Sequence, residues 1–93
     1  MTKKTSPMSE KVGKRLKALR RARGYEKLRA FAAEIGVNED RYDKWEKGKA
    51  MIPPEYVQIL IDRFGITSDW LYFGDAKNLP KSLYDDLAAA KAA

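Results

Sequence analysis

The chain has 93 residues, of which 44% are hydrophobic and 34% are charged, a composition that fits one soluble domain with a modest core. Cysteine and histidine are both absent, which excludes disulfides, Cys/His zinc sites and histidine-based acid–base catalysis. No apolar stretch is long enough for a membrane span and no signal peptide is expected, so we predict a cytoplasmic protein without a membrane partner.

Positive charge is concentrated at the beginning of the chain. Residues 1–29 hold 11 lysines and arginines against 2 acidic residues, a net charge of +9, whereas residues 30–93 hold 8 against 11, a net charge of −3. This asymmetry favours a basic surface that binds a polyanion. A solvated surface helix explains the composition equally well, because net charge bears on partners and solubility and not on fold.

Residues 1–8 are predicted to form a flexible arm, and helix 1 to run from there to about Arg23, with Gly24 as its end. Ser6 or Ser9 can cap this helix. The apolar stripe that it buries is predicted to consist of Met8, Val12, Leu16 and Leu19.

Two short helices joined by a glycine turn are predicted over residues 27–47. Helix 2 carries apolar residues at the spacing i, i+3, i+4 and i+7, namely Leu28, Phe31, Ala32 and Ile35. Gly36 ends it, Asn38 can cap helix 3, and Tyr42 and Trp45 form the inward side of helix 3. The pattern is typical of a helix-turn-helix, whose second helix can enter a DNA major groove.

Three further helices are predicted in the rest of the chain. Pro54 suits the first turn of helix 4, and Thr67 or Ser68 can cap a short helix 5. Residues 9–75 then form the domain, and residues 76–93 form an extension that we expect to be helical. Its leucines at a spacing of four pack either on their own domain, which is favoured, or on a partner.

Four segments carry a resemblance to a known family: RLKALRRARG (15–24), FAAEIGV (31–37), YDKWEKGK (42–49) and FGITSDWLYFG (64–74). In this order they resemble the phage repressor and Cro-like helix-turn-helix domains of bacterial regulators, over residues 12–75. The resemblance implies an all-α fold, a compact five-helix bundle to which the sixth helix is an addition.

The resemblance also implies roles for individual residues. It pairs Arg20, late in helix 1, with Glu46, near the end of helix 3, as a structural ion pair. The base-contacting candidates on helix 3 are Glu39, Asp40, Arg41, Asp43 and Lys44. At the start of helix 2 and after helix 3, the phosphate-contacting candidates are Lys27, Arg29, Lys47 and Lys49. The positive charge of helix 1 adds Lys14, Lys17 and Arg21 to these candidates.

Helix 3 departs from the family pattern in its charge. Glu39 and Asp40 stand where such repressors usually have neutral hydrogen-bond donors, and Leu28 stands where they often have glutamine. A carboxylate can only accept hydrogen bonds, and it repels phosphates. Two hypotheses therefore stay open. The favoured one is a sequence-specific DNA-binding transcription regulator that binds double-stranded DNA. The other is a protein-binding regulator, an antiactivator or antirepressor, which uses an acidic helix 3 and binds little DNA.

Surplus apolar residues after helix 4 suggest self-association, with a homodimer on an inverted-repeat operator. The candidates for a dimer or partner surface are Tyr72, Phe73, Leu79, Leu83 and Leu87. An enzyme is not expected, because Asp85 and Asp86 are typical of a solvated surface and Asp40 and Asp43 lack a third metal ligand. We therefore predict no catalytic residue, metal, cofactor, small-molecule substrate or separate sensor domain.

Overall fold

Helices alone make up the secondary structure of residues 7–92, the part of the chain that the computed structural model describes. In chain order they are α1 (Pro7–Ala22), α2 (Leu28–Ile35), α3 (Glu39–Glu46), α4 (Pro54–Phe64), α5 (Ser68–Phe73) and α6 (Lys81–Ala92). The all-α fold class predicted from the sequence is confirmed. No helix between Pro7 and Ala92 has the length and apolar character needed to cross a bilayer.

Helix α1 begins at Pro7, so Pro7 and Met8 belong to the helix and not to the predicted arm. A proline suits the first turn because its N–H would have no intrahelical partner there. Residues 1–6, with the proposed cap Ser6, lie outside the described residues. The prediction that Met8 is buried was wrong. Its side chain is 38% exposed, because Val12 is the first core residue of α1 and the turn before it extends past the core.

The core is built around the ring of Phe31, in α2. Its centroid lies 5.3 Å from that of Tyr25, 5.5 Å from that of Tyr42 and 5.3 Å from that of Phe64. The contacts with Tyr25 and Tyr42 are edge-to-face, a geometry that stabilises aromatic pairs beyond the burial of their surface. Residues from α2, α3, α4 and the loop after α1 therefore meet at one ring, which fixes the angle between the helices of the helix-turn-helix.

The turn between α2 and α3 is set by local chemistry. Gly36 ends α2 with φ at +80°, a left-handed conformation that a residue with a Cβ adopts only at a cost. Val37 is buried, and the side chain of Asn38 caps α3 by accepting a hydrogen bond from the Arg41 backbone N–H at 3.1 Å. These three residues together orient α3 relative to α2.

Helix α1 touches the end of α3 at Gly13. A Cβ atom at this position would lie 2.4 Å from the Glu46 carbonyl oxygen and 2.6 Å from that of Trp45. Only a residue without a Cβ allows the two backbones to approach so closely. Gly13 therefore determines how α3 sits against the rest of the domain.

Helix α6 packs along α1, and Arg23, the residue directly after α1, forms an ion pair of 2.5 Å with Asp86 of α6. Leu83 and Leu87 are only 3% and 6% exposed, and Leu79 is half-buried. The prediction that Leu83 and Leu87 belong to a dimer or partner surface was therefore wrong, because their side chains already contribute to the chain's own core. Helix α6 thus extends the five-helix bundle by a sixth member.

Candidate nucleic-acid interface

The first turns of α2 and α3 lie side by side at the surface. The Arg29 guanidinium of α2 is 3.4 Å from the Glu39 carboxylate of α3, and the two side chains are 81% and 50% exposed. The contact brings phosphate-contacting and base-contacting candidates together on one surface. We call this the α2–α3 surface, defined by Lys27, Arg29, Glu39, Asp40 and Lys44, all of which are exposed.

Ion pairs engage two of the three acidic side chains that α3 exposes or half-exposes. Glu39 contacts Arg29, and Asp43 binds the Lys47 ammonium at 2.9 Å, one helical turn away. Asp40 and Lys44 are exposed, lie one turn apart, and have no ion-pair partner among residues 7–90. They are therefore the α3 side chains most available to an external ligand.

Arg41 is directed towards α4 and not towards the outer side of α3. Its guanidinium carbon lies 5.5 Å from the ring centroid of Trp45 and 5.3 Å from that of Tyr56. Stacking of this kind stabilises the cation over the ring faces. The geometry makes Arg41 a weaker base-contacting candidate than its position in the sequence suggested, and a better candidate for holding α3 against α4.

Glu46 and Arg20 form a buried ion pair below this surface, with both side chains 7% exposed. The Arg20 Nε donates to Glu46 Oε2 at 2.7 Å, and Arg20 Nη1 donates to the carbonyl oxygens of Tyr25 and Glu26 at 2.9 and 2.6 Å. The Tyr42 hydroxyl donates to Glu46 Oε2 at 2.7 Å. The network ties α1, α3 and the loop that precedes α2 together.

Burial raises the pKa of Tyr42 well above its ordinary value, and the neighbouring Glu46 carboxylate raises it further. The phenol therefore stays protonated and remains a hydrogen-bond donor to Glu46. Glu46 thus accepts hydrogen bonds from both partners, and the Arg20 guanidinium pairs with it within the protein.

The ion pair changes the charge that α3 presents outwards. Residues 39–47 hold four acidic and three basic side chains, a net charge of −1. Because Arg20 neutralises Glu46 in the interior, the accessible side chains of residues 39–47 are three acidic ones, Glu39, Asp40 and Asp43, and three basic ones, Lys44, Lys47 and, on the side of α4, Arg41. The accessible charge of residues 39–47 is therefore balanced in total, although the outer side of α3 holds one more acidic than basic side chain.

The phosphate-contacting candidates are all exposed and form two groups. Lys27 is the N-cap residue of α2, Arg29 lies in its first turn, and Lys47 and Lys49 follow α3. The other group shares one side of α1 and consists of Lys14, Lys17 and Arg21. Lys17 and Arg21 line a cleft with Glu26, in the loop before α2, and Ala90 of α6, whereas Lys14 lines a different cleft between α1, α5 and α6.

The sequence analysis missed three structural features. Gly13 could have been found, since a glycine inside a helix usually has a packing reason. The Tyr42–Glu46 hydrogen bond could also have been predicted from the sequence, because residues at i and i+4 are neighbours on one side of a helix. Tyr56, which stacks on Arg41, left no such signal because its partner lies in another helix.

Comparison with protein families gives a match between residues 16–71 and the helix-turn-helix family. Comparison with curated proteins and with solved structures gave no significant match. The matched residues extend from α1 to α5, cover more than half of the chain, and contain both α2 and α3. The chain therefore belongs to the repressor-type helix-turn-helix family of DNA-binding transcription regulators.

Proposed function

We propose that the protein is a sequence-specific transcription regulator that places α3 in the DNA major groove. The observation that carries the proposal is the α2–α3 surface, where the Arg29–Glu39 contact brings the first turns of two helices together. One helix can then rest on the backbone while the other reaches base edges, the arrangement in which phosphate contacts position a protein and base contacts specify the sequence.

Lys44 and Asp40 are the residues that we assign to base reading. A lysine donates to the O6 and N7 acceptors of guanine, and an aspartate accepts from the N4 amino group of cytosine. Both side chains are exposed and free of ion pairs within the described residues. The expected operator half-site therefore contains guanine and cytosine at the positions that α3 contacts.

Phosphate is assigned first to the amino end of α2. No side chain caps this helix, whereas Asn38 and Thr67 cap α3 and α5. The backbone N–H groups of Leu28 and Arg29 have no acceptor among the described residues and can bind a phosphate oxygen, with the helix dipole and Lys27 in support. Lys17, Arg21, Lys47 and Lys49 extend the basic surface around it.

The ion pairs of α3 support DNA binding, since they reduce the electrostatic objection that the sequence raised. Repulsion between a carboxylate and a phosphate in a wet interface is worth only about 1 kcal/mol at close range. Arg29 and Lys47 offset the charges of Glu39 and Asp43 locally. DNA binding through α3 thus requires no rearrangement of the acidic residues.

Dimerisation on an inverted repeat is part of the proposal. Phe73 is 71% exposed and the ring of Tyr72, 6.2 Å away, is half-buried, which leaves apolar surface at the end of α5. We expect sedimentation at high micromolar concentration to detect a dimer that Phe73→Ser weakens. A wild-type protein that sediments as a monomer under these conditions would remove this part of the proposal.

The second candidate function is a protein-binding regulator, which the exposed and unpaired Asp40 carboxylate favours. A basic partner protein would pair with it, and Asp40→Lys would abolish capture of that partner. The same substitution adds positive charge and should, if anything, improve binding to random DNA under either function. If α3 reads bases through Asp40, however, Asp40→Lys also removes the preference for a selected duplex, and this loss of preference separates the two functions.

Two lysine-to-alanine variants test the assignment of roles. A preferred duplex is first selected with the wild-type protein from a random pool. We expect Lys44→Ala to weaken binding to this duplex by about 1–3 kcal/mol and to leave random DNA almost unchanged. Lys27→Ala should weaken both duplexes alike and lower the salt slope by about 1. Equal effects of both variants on both duplexes would refute base reading by Lys44.

A further inference from the structure

A second concave surface lies between α1, α5 and α6, and no residue of α2 or α3 lines it. The cleft has a volume of about 650 Å³, within the range of about 300–1,000 Å³ that is typical of small-molecule sites. Its floor is mostly apolar, with Trp70 from α5 and Tyr84, Leu87 and Ala88 from α6. We call it the α1–α6 cleft.

Three cations and no carboxylate line the α1–α6 cleft. Lys11, Lys14 and Arg15 stand at i, i+3 and i+4 on α1 and therefore share one side of that helix. The nearby acidic residues of α6 are engaged elsewhere, since Asp85 pairs with Lys81 and Asp86 with Arg23. Asp75, between the lining residues Gly74 and Ala76, accepts from the Lys77 backbone N–H, so no carboxylate of the described residues pairs with the three cations of the cleft.

Arg15 is the best-fixed of the three cations. It is half-buried, its Nη1 donates to the Leu71 carbonyl oxygen at 3.0 Å, and a Cβ on Gly74 would lie only 2.7 Å from its Nη2. No carboxylate pairs with it among residues 7–90. Burial lowers the pKa of the Arg15 guanidinium, which reflects desolvation without a compensating anion. A charge withdrawn from water in this way is normally paired, so an anion would satisfy it.

We propose that the α1–α6 cleft binds a small organic anion with an apolar body, in the class of aromatic and aliphatic carboxylates and sulfonates. The anionic group would contact Arg15, Lys11 and Lys14, because a guanidinium matches the geometry of a carboxylate. The apolar body would lie against Trp70, Tyr84 and Leu87. This site is separate from the α2–α3 surface and does not depend on DNA binding.

Anilinonaphthalene sulfonate is the probe, and the two tryptophans of the chain report where it binds. Trp70 lines the cleft, whereas Trp45 is a residue of α3 whose side chain is buried in the core. In a proton–nitrogen correlation spectrum of the full chain, we expect the probe to shift the indole N–H signal of Trp70 saturably and to leave that of Trp45 in place. Movement of both signals alike, or of neither, would overturn the proposal.

Two variants at exposed positions test the charge and the shape of the cleft, each with a matched control. Lys11→Glu and Ala88→Phe should each raise the Kd of the probe at least about tenfold. The first replaces a cation of the cleft by an anion that repels the sulfonate, and the second fills part of the space that the rings of the probe occupy. Lys77→Glu and Ala89→Phe make the same changes at exposed positions that do not line the cleft, and they should leave the Kd within about twofold. Equal effects of variants and controls would overturn the proposal.

The neutral analogue N-phenylnaphthylamine carries the same rings without the sulfonate. We expect it to bind at least about tenfold more weakly, because the cations then have no anion to contact. Equal binding of both probes would mean that the cleft is merely apolar and would overturn its assignment as an anion site. Unchanged thermal unfolding of Lys11→Glu and Ala88→Phe will show that these variants keep the fold.

Discussion

Glu46 accepts hydrogen bonds from Arg20 and Tyr42 in the interior of the protein, and it thereby connects α3 to α1. The pairing of Arg20 with Glu46 was implied by the family resemblance, since the two residues occupy the matching positions of the motif. The partners that complete the network, Tyr42 and the carbonyl oxygens of Tyr25 and Glu26, depend on the path of the chain in three dimensions. The motif therefore predicted the ion pair, whereas the other hydrogen-bond partners of Arg20 and Glu46 became visible only in the fold.

Removing one partner of the pair is expected to destabilise the protein strongly. Glu46→Ala leaves the Arg20 charge buried without its partner, and we expect it to lower the free energy of unfolding by about 3–5 kcal/mol in a urea titration. The control is Asp43→Ala, which removes an exposed ion pair from the same helix and should cost less than about 1 kcal/mol. Similar losses for the two variants would contradict a special role of Glu46.

The raised pKa of Tyr42 predicts a loss of stability at alkaline pH. The phenol of the unfolded chain ionises above its ordinary pKa of about 10, whereas the folded protein keeps the proton. The stabilising contribution is therefore complete below about pH 10 and falls by about 1.4 kcal/mol per pH unit above it. Urea titrations between pH 9 and 11.5, a range of roughly one unit on either side of the phenol pKa, should show this slope. Tyr42→Phe should reduce the slope by the same amount, and an unchanged slope would mean that another group is responsible.

At the scale of single elements, α6 is an integral part of the domain. Leu87→Ala should lower the free energy of unfolding by about 2–5 kcal/mol, because Leu87 is 6% exposed and its removal leaves a cavity beside α1. Leu79→Ala, at a half-buried position before α6, is the control and should cost clearly less. If neither variant changes stability in thermal or urea unfolding, α6 does not pack on α1 in solution.

The sequence predicted the type and order of the elements well, because their boundaries follow local chemistry. Gly36 in a left-handed conformation, the Asn38 cap and Pro54 in the first turn of α4 are features that neighbouring residues decide. The charge of α3 was misjudged because it depends on residues of other helices and not on neighbouring residues. Helix 3 reads as acidic by itself, but Glu46 is neutralised from α1 and Glu39 is paired from α2.

For Arg41 and the leucines of α6 too, the sequence did not show which residues of other helices they contact. From its position on α3, Arg41 was a base-contacting candidate, yet its guanidinium stacks on the ring of Tyr56 in α4 and not on the outer side of α3. The spacing of Leu83 and Leu87 predicted a buried stripe correctly without saying what buries it. Periodicity identifies an apolar side of a helix, and only the tertiary arrangement identifies its partner.

At the scale of the whole molecule, α1 separates two surfaces with different chemistry. On one side it contacts α3 through Gly13 and Arg20, below the α2–α3 surface. On the other side it forms the α1–α6 cleft with Trp70 and α6. The basic residues that dominate the first third of the sequence are thus divided between a surface suited to DNA and a cleft suited to a small anion.

A salt titration of DNA binding is the most direct test of the central claim, that this protein reads DNA through α3. The affinity of the wild-type chain is measured by fluorescence anisotropy for a duplex selected from a random pool and for an unselected duplex. We expect log K to fall linearly with log salt for both, and the selected duplex to bind at least about 10³-fold more tightly near physiological salt. Weak binding without preference between the two duplexes would contradict the claim and would favour a protein partner for the α2–α3 surface.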